Sequence, residues 1–170
     1  MKKSIMLIAA MCMTSVMTFA QKVIRVSTDK TDLVMKVSPK GRLYQVYLGD
    51  KFLNPADYDN LKWDVYAASD GAVCQRGHEV YATSGAEDFF EPAVAVTHAD
   101  GNMTTYLYYQ SSEQKAVKGG TETVITLKDK VYPLTVKLHY VAYAKENVIK
   151  AWSEISHKEK SPITLWRYSS

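Results

Sequence analysis

The chain has 170 residues, with 21 Lys and Arg against 18 Asp and Glu, for a formal net charge of +3. That near balance carries no basic patch of the kind that neutralises phosphates, so nucleic acid is not an expected partner. No apolar stretch after residue 20 is long enough to cross a bilayer.

Residues 1–20 read as an export signal. Lys2 and Lys3 form a short basic region, Ile5 to Val16 is a mostly apolar run too short to span a membrane, and Thr18-Phe19-Ala20 puts small residues before Gln21. The expected address is the periplasm or the medium of a bacterium. Cleavage removes two lysines and leaves bases and acids almost equal over a mature chain, residues 21–170, of ordinary single-domain size. It also removes Cys12, so Cys74 has no internal disulfide partner and stability must come from the core.

Strand signals then recur to the end of the chain. They fall at Val23–Ser27, Leu33–Val37, Leu43–Leu48, Lys62–Ala67, His78–Ala82, Ala93–His98, Thr104–Tyr109, Glu122–Lys128, Leu134–Tyr143, Val148–His157 and Ile163–Tyr168. Turn residues separate many of them: Ser38-Pro39-Lys40-Gly41, Ser69-Asp70-Gly71, Ala99-Asp100-Gly101-Asn102 and Lys118-Gly119-Gly120. Asp100-Gly101 is the clearest hairpin signal. Helix signals are nearly absent.

Period two is plainest late in the chain. Tyr132, Leu134, Val136, Leu138, Tyr140 and Ala142 share one face; Thr135, Lys137, His139, Val141 and Tyr143 share the other, which turns from polar to mixed. Long alternating strands joined by short turns predict an all-β, antiparallel β-sandwich. The strand at Ile163–Tyr168 begins just before the chain ends at Ser170, so the sandwich is expected to be incomplete at its C-terminal end.

The motifs narrow the chemistry. His78, His98, His139 and His157 lie in separate predicted strands with no HxH or CxxC spacing, and each reads as a surface strand residue; no metal or other cofactor is expected. No GxSxG, P-loop or GxGxxG is present. The densest segment is Gly85-Ala86-Glu87-Asp88-Phe89-Phe90-Glu91-Pro92. A carboxylate beside an exposed aromatic suits sugar recognition, the ring covering C–H groups while the acid accepts hydroxyl hydrogen bonds. The other reading is a solvated acidic loop whose phenylalanines plug the sandwich edge. Twelve tyrosines and three tryptophans fit either, since such residues pack on sheets and also stack on sugars.

From Leu33 onward the order of features resembles the N-terminal domain of family 36 glycoside hydrolases, the α-galactosidases and α-N-acetylgalactosaminidases. Leu33 to Val37 followed by Gly41-Arg42-Leu43-Tyr44-Gln45-Val46-Tyr47-Leu48-Gly49 resembles the family's opening hairpin. Glu79-Val80-Tyr81, then Gly85 to Pro92, then Ala93-Val94-Ala95-Val96 and Asp100-Gly101, resemble its tyrosine, glycine, acid–aromatic and D-G stretch. Val124 to Asp129, Leu134 to Tyr140, Asn147 to Lys150 and Ser161 to Leu165 resemble its late strands.

The resemblance implies a supersandwich preceding a (β/α)8 barrel that carries both catalytic aspartates and retains anomeric configuration. The chain itself is then expected to lack the catalytic pair, to pack on the downstream barrel, to support homo-oligomers, and to shape the entrance for an α-galactoside or related glycan. Glu87, Asp88, Phe89 and Phe90 are the candidate substrate contacts; Phe90 stands where the family usually has arginine. Lys62-Trp63-Asp64 imitates the family's K-x-D nucleophile motif but lies in the wrong domain with no βα pattern around it, and reads as coincidence. A stand-alone carbohydrate-binding or surface sandwich is the alternative. A small hydrolase using Asp64 and Glu87 is a third reading.

Overall fold

The computed structural model describes residues 22–61, 79–85 and 91–169. Among these residues nine strands follow in chain order: β1 Val23–Ser27, β2 Thr31–Val37, β3 Leu43–Asp50, β4 Val94–Thr97, β5 Leu107–Val117, β6 Gly120–Asp129, β7 Leu134–Tyr143, β8 Val148–His157 and β9 Thr164–Tyr168. They form three antiparallel groups: a sheet β1-β2-β3, a sheet β5-β6-β7-β8, and a pair β4-β9.

The fold is an antiparallel sandwich because alternation gives each sheet one apolar face. Ile24 and Val26 of β1, Leu33 and Met35 of β2 and Leu43 of β3 meet Ile125, Leu127, Leu134, Val136, Leu138 and Ala142 of β6 and β7 in one core. Val94 and Val96 of β4 and Leu107 of β5 complete it, both valines fully shielded from water. Each fully buried aliphatic side chain contributes about 1.5–3 kcal/mol of transfer free energy. The sheets are also tied by hydrogen bonds at their ends: Asp29 N–H donates to Ala144 O at 3.0 Å, and Tyr109 N–H to Gly41 O at 2.8 Å.

β7 and β8 form at the bounds their alternation predicts, joined by a short turn in which Asn147 takes a positive φ of 55°. Lys118-Gly119 makes the hairpin between β5 and β6, with Gly119 at φ 81° where a side chain would be strained.

Several expectations are corrected. The Asp100-Gly101 turn forms, with Gly101 N–H donating to His98 O at 2.9 Å, but the strands on either side do not pair; β4 takes β9 as its partner. The reason lies in residues 104–106, which bond elsewhere: Thr105 N–H donates to Ser84 O and Tyr106 N–H to the Asp129 carboxylate. β5 therefore starts at Leu107 and runs on to Val117. Among the described residues of the expected strand His78–Ala82, 79–82, no strand forms; Glu79 and Thr83 make isolated bridges, to Tyr44 and Val94.

A 3-10 helix at Pro55–Asn60 also departs from the near absence of helix signals. The Asn54 side chain accepts from Ala56 N–H and caps it, and Pro55 presets its first φ. It lies over the far face of the first sheet: Tyr58 OH donates to the Asp32 carboxylate, and the buried Lys36 ammonium donates to Asp59 O at 3.2 Å and Leu61 O at 2.5 Å. Burial, and then the Asp32 carboxylate beside it, raise the Tyr58 phenol above its ordinary pKa.

Candidate functional site

Glu87, Asp88, Phe89 and Phe90 lie outside the described residues, as do Lys62, Trp63, Asp64, Cys74 and His78. What the structure fixes is the frame from which the acid–aromatic segment leaves and to which it returns.

The leaving end is clamped by backbone. Ser84 N–H donates to Val94 O at 3.0 Å, Ser84 O accepts from Thr105 N–H at 3.1 Å, and Ser84 Oγ donates to Met103 O at 3.1 Å. Gly85 takes φ 76°, and a Cβ there would meet Thr104 Cα at 2.8 Å, so glycine is needed for both conformation and space. Tyr106 OH donates to Gly85 O at 3.3 Å. Beneath it, the buried Thr83 hydroxyl donates to Thr105 O.

The returning end is held by charge and by β9. Arg167 forms an ion pair with Glu91, and Ala93 N–H donates to Ala82 O at 2.9 Å. The β4–β9 ladder contains a bulge: Ala95 pairs with Arg167 and Val96 with Leu165, leaving Trp166 as the extra residue. Trp166 is 67% exposed, and its indole N–H donates to Thr97 Oγ1 at 2.7 Å. Both ends of the segment thus sit beside β4, with the Arg167–Glu91 ion pair at the returning end.

Two histidines read as surface strand residues are instead buried. His98 is 2% exposed, between Glu159 and Thr105, and its ring stacks on Tyr132 with centroids 3.5 Å apart. His139 is 8% exposed and stacks on Trp152 at 4.7 Å, with Nδ1 donating to Glu122 at 2.8 Å. His157 is exposed as expected. Among the described residues no three His, Cys, Asp or Glu side chains converge as metal ligands. An open cleft of about 560 Å³ lies between β1 and the β5–β6 hairpin, with Ser112, Gln114, Thr121 and Thr123 on one wall. It is polar and no aromatic ring lines it.

Trp166, Arg167 and Thr97 were legible only as strand residues. The contacts of Trp166 with Thr97 and of Arg167 with Glu91 depend on the pairing of β4 with a strand far along the chain, which alternation does not signal.

The profile of the glycosyl hydrolase family 36 N-terminal domain matches residues 41–170. No curated protein matches the chain. Among solved structures, an α-galactosidase from Lactobacillus brevis is similar at 20% identity and a TM-score of 0.70 over 86% of this chain and 23% of that one. The galactosidase domain of the α-galactosidase–sucrose kinase AgaSK is similar at 20% identity and 0.72, over 88% and 24%. The family 36 α-galactosidase AgaA of Geobacillus stearothermophilus, in complex with raffinose, is similar at 23% identity and 0.69, over 86% and 24%. The chain therefore spans about a quarter of the length of these structures.

Proposed function

Because the chain belongs to the N-terminal domains of family 36 glycosyl hydrolases, we propose that it serves as the non-catalytic front domain of an exported α-galactosidase-like enzyme. In this reading residues 1–20 direct export to the periplasm or medium and are removed, residues 21–170 form the sandwich, and a downstream barrel performs retaining hydrolysis of terminal α-galactosyl linkages. The domain packs on that barrel and takes part in oligomers.

The observation that carries the reading is the family match over residues 41–170. It is supported by the frame around the acid–aromatic segment, which is fixed at Ser84 by backbone hydrogen bonds and at Glu91 by Arg167. Such anchoring suits a loop that presents carboxylates and rings to a substrate from a rigid scaffold. Glu87, Asp88, Phe89 and Phe90 are the proposed sugar contacts, with Asp88 accepting hydroxyl hydrogen bonds and Phe89 covering the ring.

Replacing Asp88 and Phe89 together by alanine in the assembled enzyme is expected to raise KM for an α-galactoside, since the lost contacts bind substrate and not the transition state alone. Unchanged kinetics would remove the loop from the site.

A further inference from the structure

The outer face of the sheet β5-β6-β7-β8 holds a histidine with one ring nitrogen satisfied and the other not. Side chains stand on that face in rows across the strands. Glu113, Val124, His139 and Trp152 form one row; Lys115, Glu122, Val141 and Lys150 lie on one side of it, and Thr126, Lys137 and Glu154 on the other. His139 is 8% exposed and has an acid on each diagonal, Glu122 of β6 and Glu154 of β8.

The two acids meet the ring differently. The Glu122 carboxylate, held by Lys115 at 2.9 Å, only accepts, so the ring proton sits on Nδ1, 2.8 Å away. Nε2 is buried and has no hydrogen-bond partner. The Glu154 carboxylate stands 3.5 Å from it, beyond the usual range of about 2.7–3.2 Å. Trp152 stacks on the ring with centroids 4.7 Å apart and planes 11° from parallel, and the Lys150 ammonium lies 5.1 Å from the indole centroid.

A buried acceptor without a donor is unfavourable, and one proton removes the problem. Protonated Nε2 is a donor, and Glu154 is within ion-pair reach to accept. The cation then lies between two carboxylates. In the three rows the acids Glu113, Glu122 and Glu154 balance the lysines Lys115, Lys137 and Lys150, so the ring proton alone sets the net charge of this face.

We propose that His139 is a proton-sensitive switch on this sheet face. Uptake of a proton at Nε2 draws Glu154 into a hydrogen bond and ties β6, β7 and β8 together through their side chains; its loss releases Glu154. A ring that gains a partner on protonation contributes below the imidazole range and loses that contribution as pH rises through it. Below the carboxylate range Glu122 and Glu154 are neutral and the tie is lost again.

The test is side-chain ¹⁵N–¹H NMR of the chain from pH about 8.5 to about 5, which spans the imidazole range. His139 is identified by its absence in His139→Gln, and the Trp152 indole N–H by its absence in Trp152→Phe. At the alkaline end the ring should be neutral with its proton on Nδ1. On acidification Nε2 should gain a proton, and the Trp152 signal should shift with the same midpoint. Glu154→Gln keeps the shape of the side chain and removes its charge; the midpoint should fall by about 0.2–0.7 pH unit, the equivalent of one partly exposed ion pair. Glu146→Gln removes the same charge from the β7–β8 turn and should leave the midpoint in place.

A proton on Nε2 at the alkaline end, a Trp152 signal that ignores the titration, or a midpoint unmoved by Glu154→Gln would overturn the switch and leave His139 as a fixed partner of Glu122. A midpoint lowered equally by Glu146→Gln would assign the effect to the overall charge of the chain and overturn it as well.

Discussion

His139 Nδ1 donates to the Glu122 carboxylate at 2.8 Å across two adjacent strands, on the sheet face turned away from the core. The Lys115 ammonium reaches the same carboxylate at 2.9 Å. The His139 hydrogen bond first, and then that of Lys115, hold the Glu122 carboxyl below its ordinary pKa. A carboxyl depressed by folding stabilises the fold above its unfolded pKa, near about 4.3, and loses that contribution as pH falls through the folded value. Urea midpoints measured between neutral pH and pH about 3 should therefore fall more steeply for the native chain than for Glu122→Gln. Parallel curves would show that this pair is not linked to acid stability.

The core and the β9 surface should respond very differently to the same truncation. Leu134 is 1% exposed and packs among Val136, Ile125 and Leu127, whereas Leu165 is 41% exposed. Leu134→Ala should cost about 2–5 kcal/mol, the range for a buried leucine that leaves a cavity. Leu165→Ala should stay within about 1 kcal/mol, since half-open sites lose little burial. Denaturant unfolding reads both; equal losses would mean that β9 is as integral to the core as β7.

Two glycines with similar backbone angles separate strain from crowding. Gly101 has φ 88°, and a Cβ there would meet nothing within 4 Å, while Gly85 has φ 76° and a Cβ there would meet Thr104 Cα at 2.8 Å. Gly101→Ala should cost about 1–2 kcal/mol for its left-handed backbone alone. Gly85→Ala should cost more, and because Gly85 begins the acid–aromatic segment it should also weaken glycan binding. A Gly85→Ala chain as stable as Gly101→Ala would show that Thr104 yields easily.

Lys36 is 2% exposed, and its ammonium holds the carbonyls of Asp59 and Leu61 at the end of the 3-10 helix. Lys36→Met keeps the length of the side chain and strands both carbonyls. It should destabilise by about 1–3 kcal/mol, the cost of charge-assisted hydrogen bonds lost in a buried place. Loss of the near-ultraviolet signal from Tyr58, which packs in the same layer, should accompany it.

The fold was legible wherever one face of a strand meets the core. β1, β7 and β8 have their predicted bounds because their apolar residues recur at every second position and turn residues flank them. The second half of β5 was not: Gln110 to Val117 is largely exposed, and its ladder with β6 forms without an apolar stripe to announce it. The buried states of His98 and His139 were equally hidden, because each depends on a carboxylate from another part of the chain, Glu159 just after β8 and Glu122 on the neighbouring strand β6. For the site, sequence alone marked the acid–aromatic segment; the frame around it needed the β4–β9 pairing and its bulge.

The most direct test of the proposed role is capture from the native organism. Antibody raised against residues 21–170 should retrieve, from the exported fraction, a polypeptide much longer than this chain that hydrolyses p-nitrophenyl α-galactoside with retention of configuration. Retrieval of a protein of this chain's size that binds glycans but hydrolyses none would contradict the account and favour a stand-alone binding sandwich.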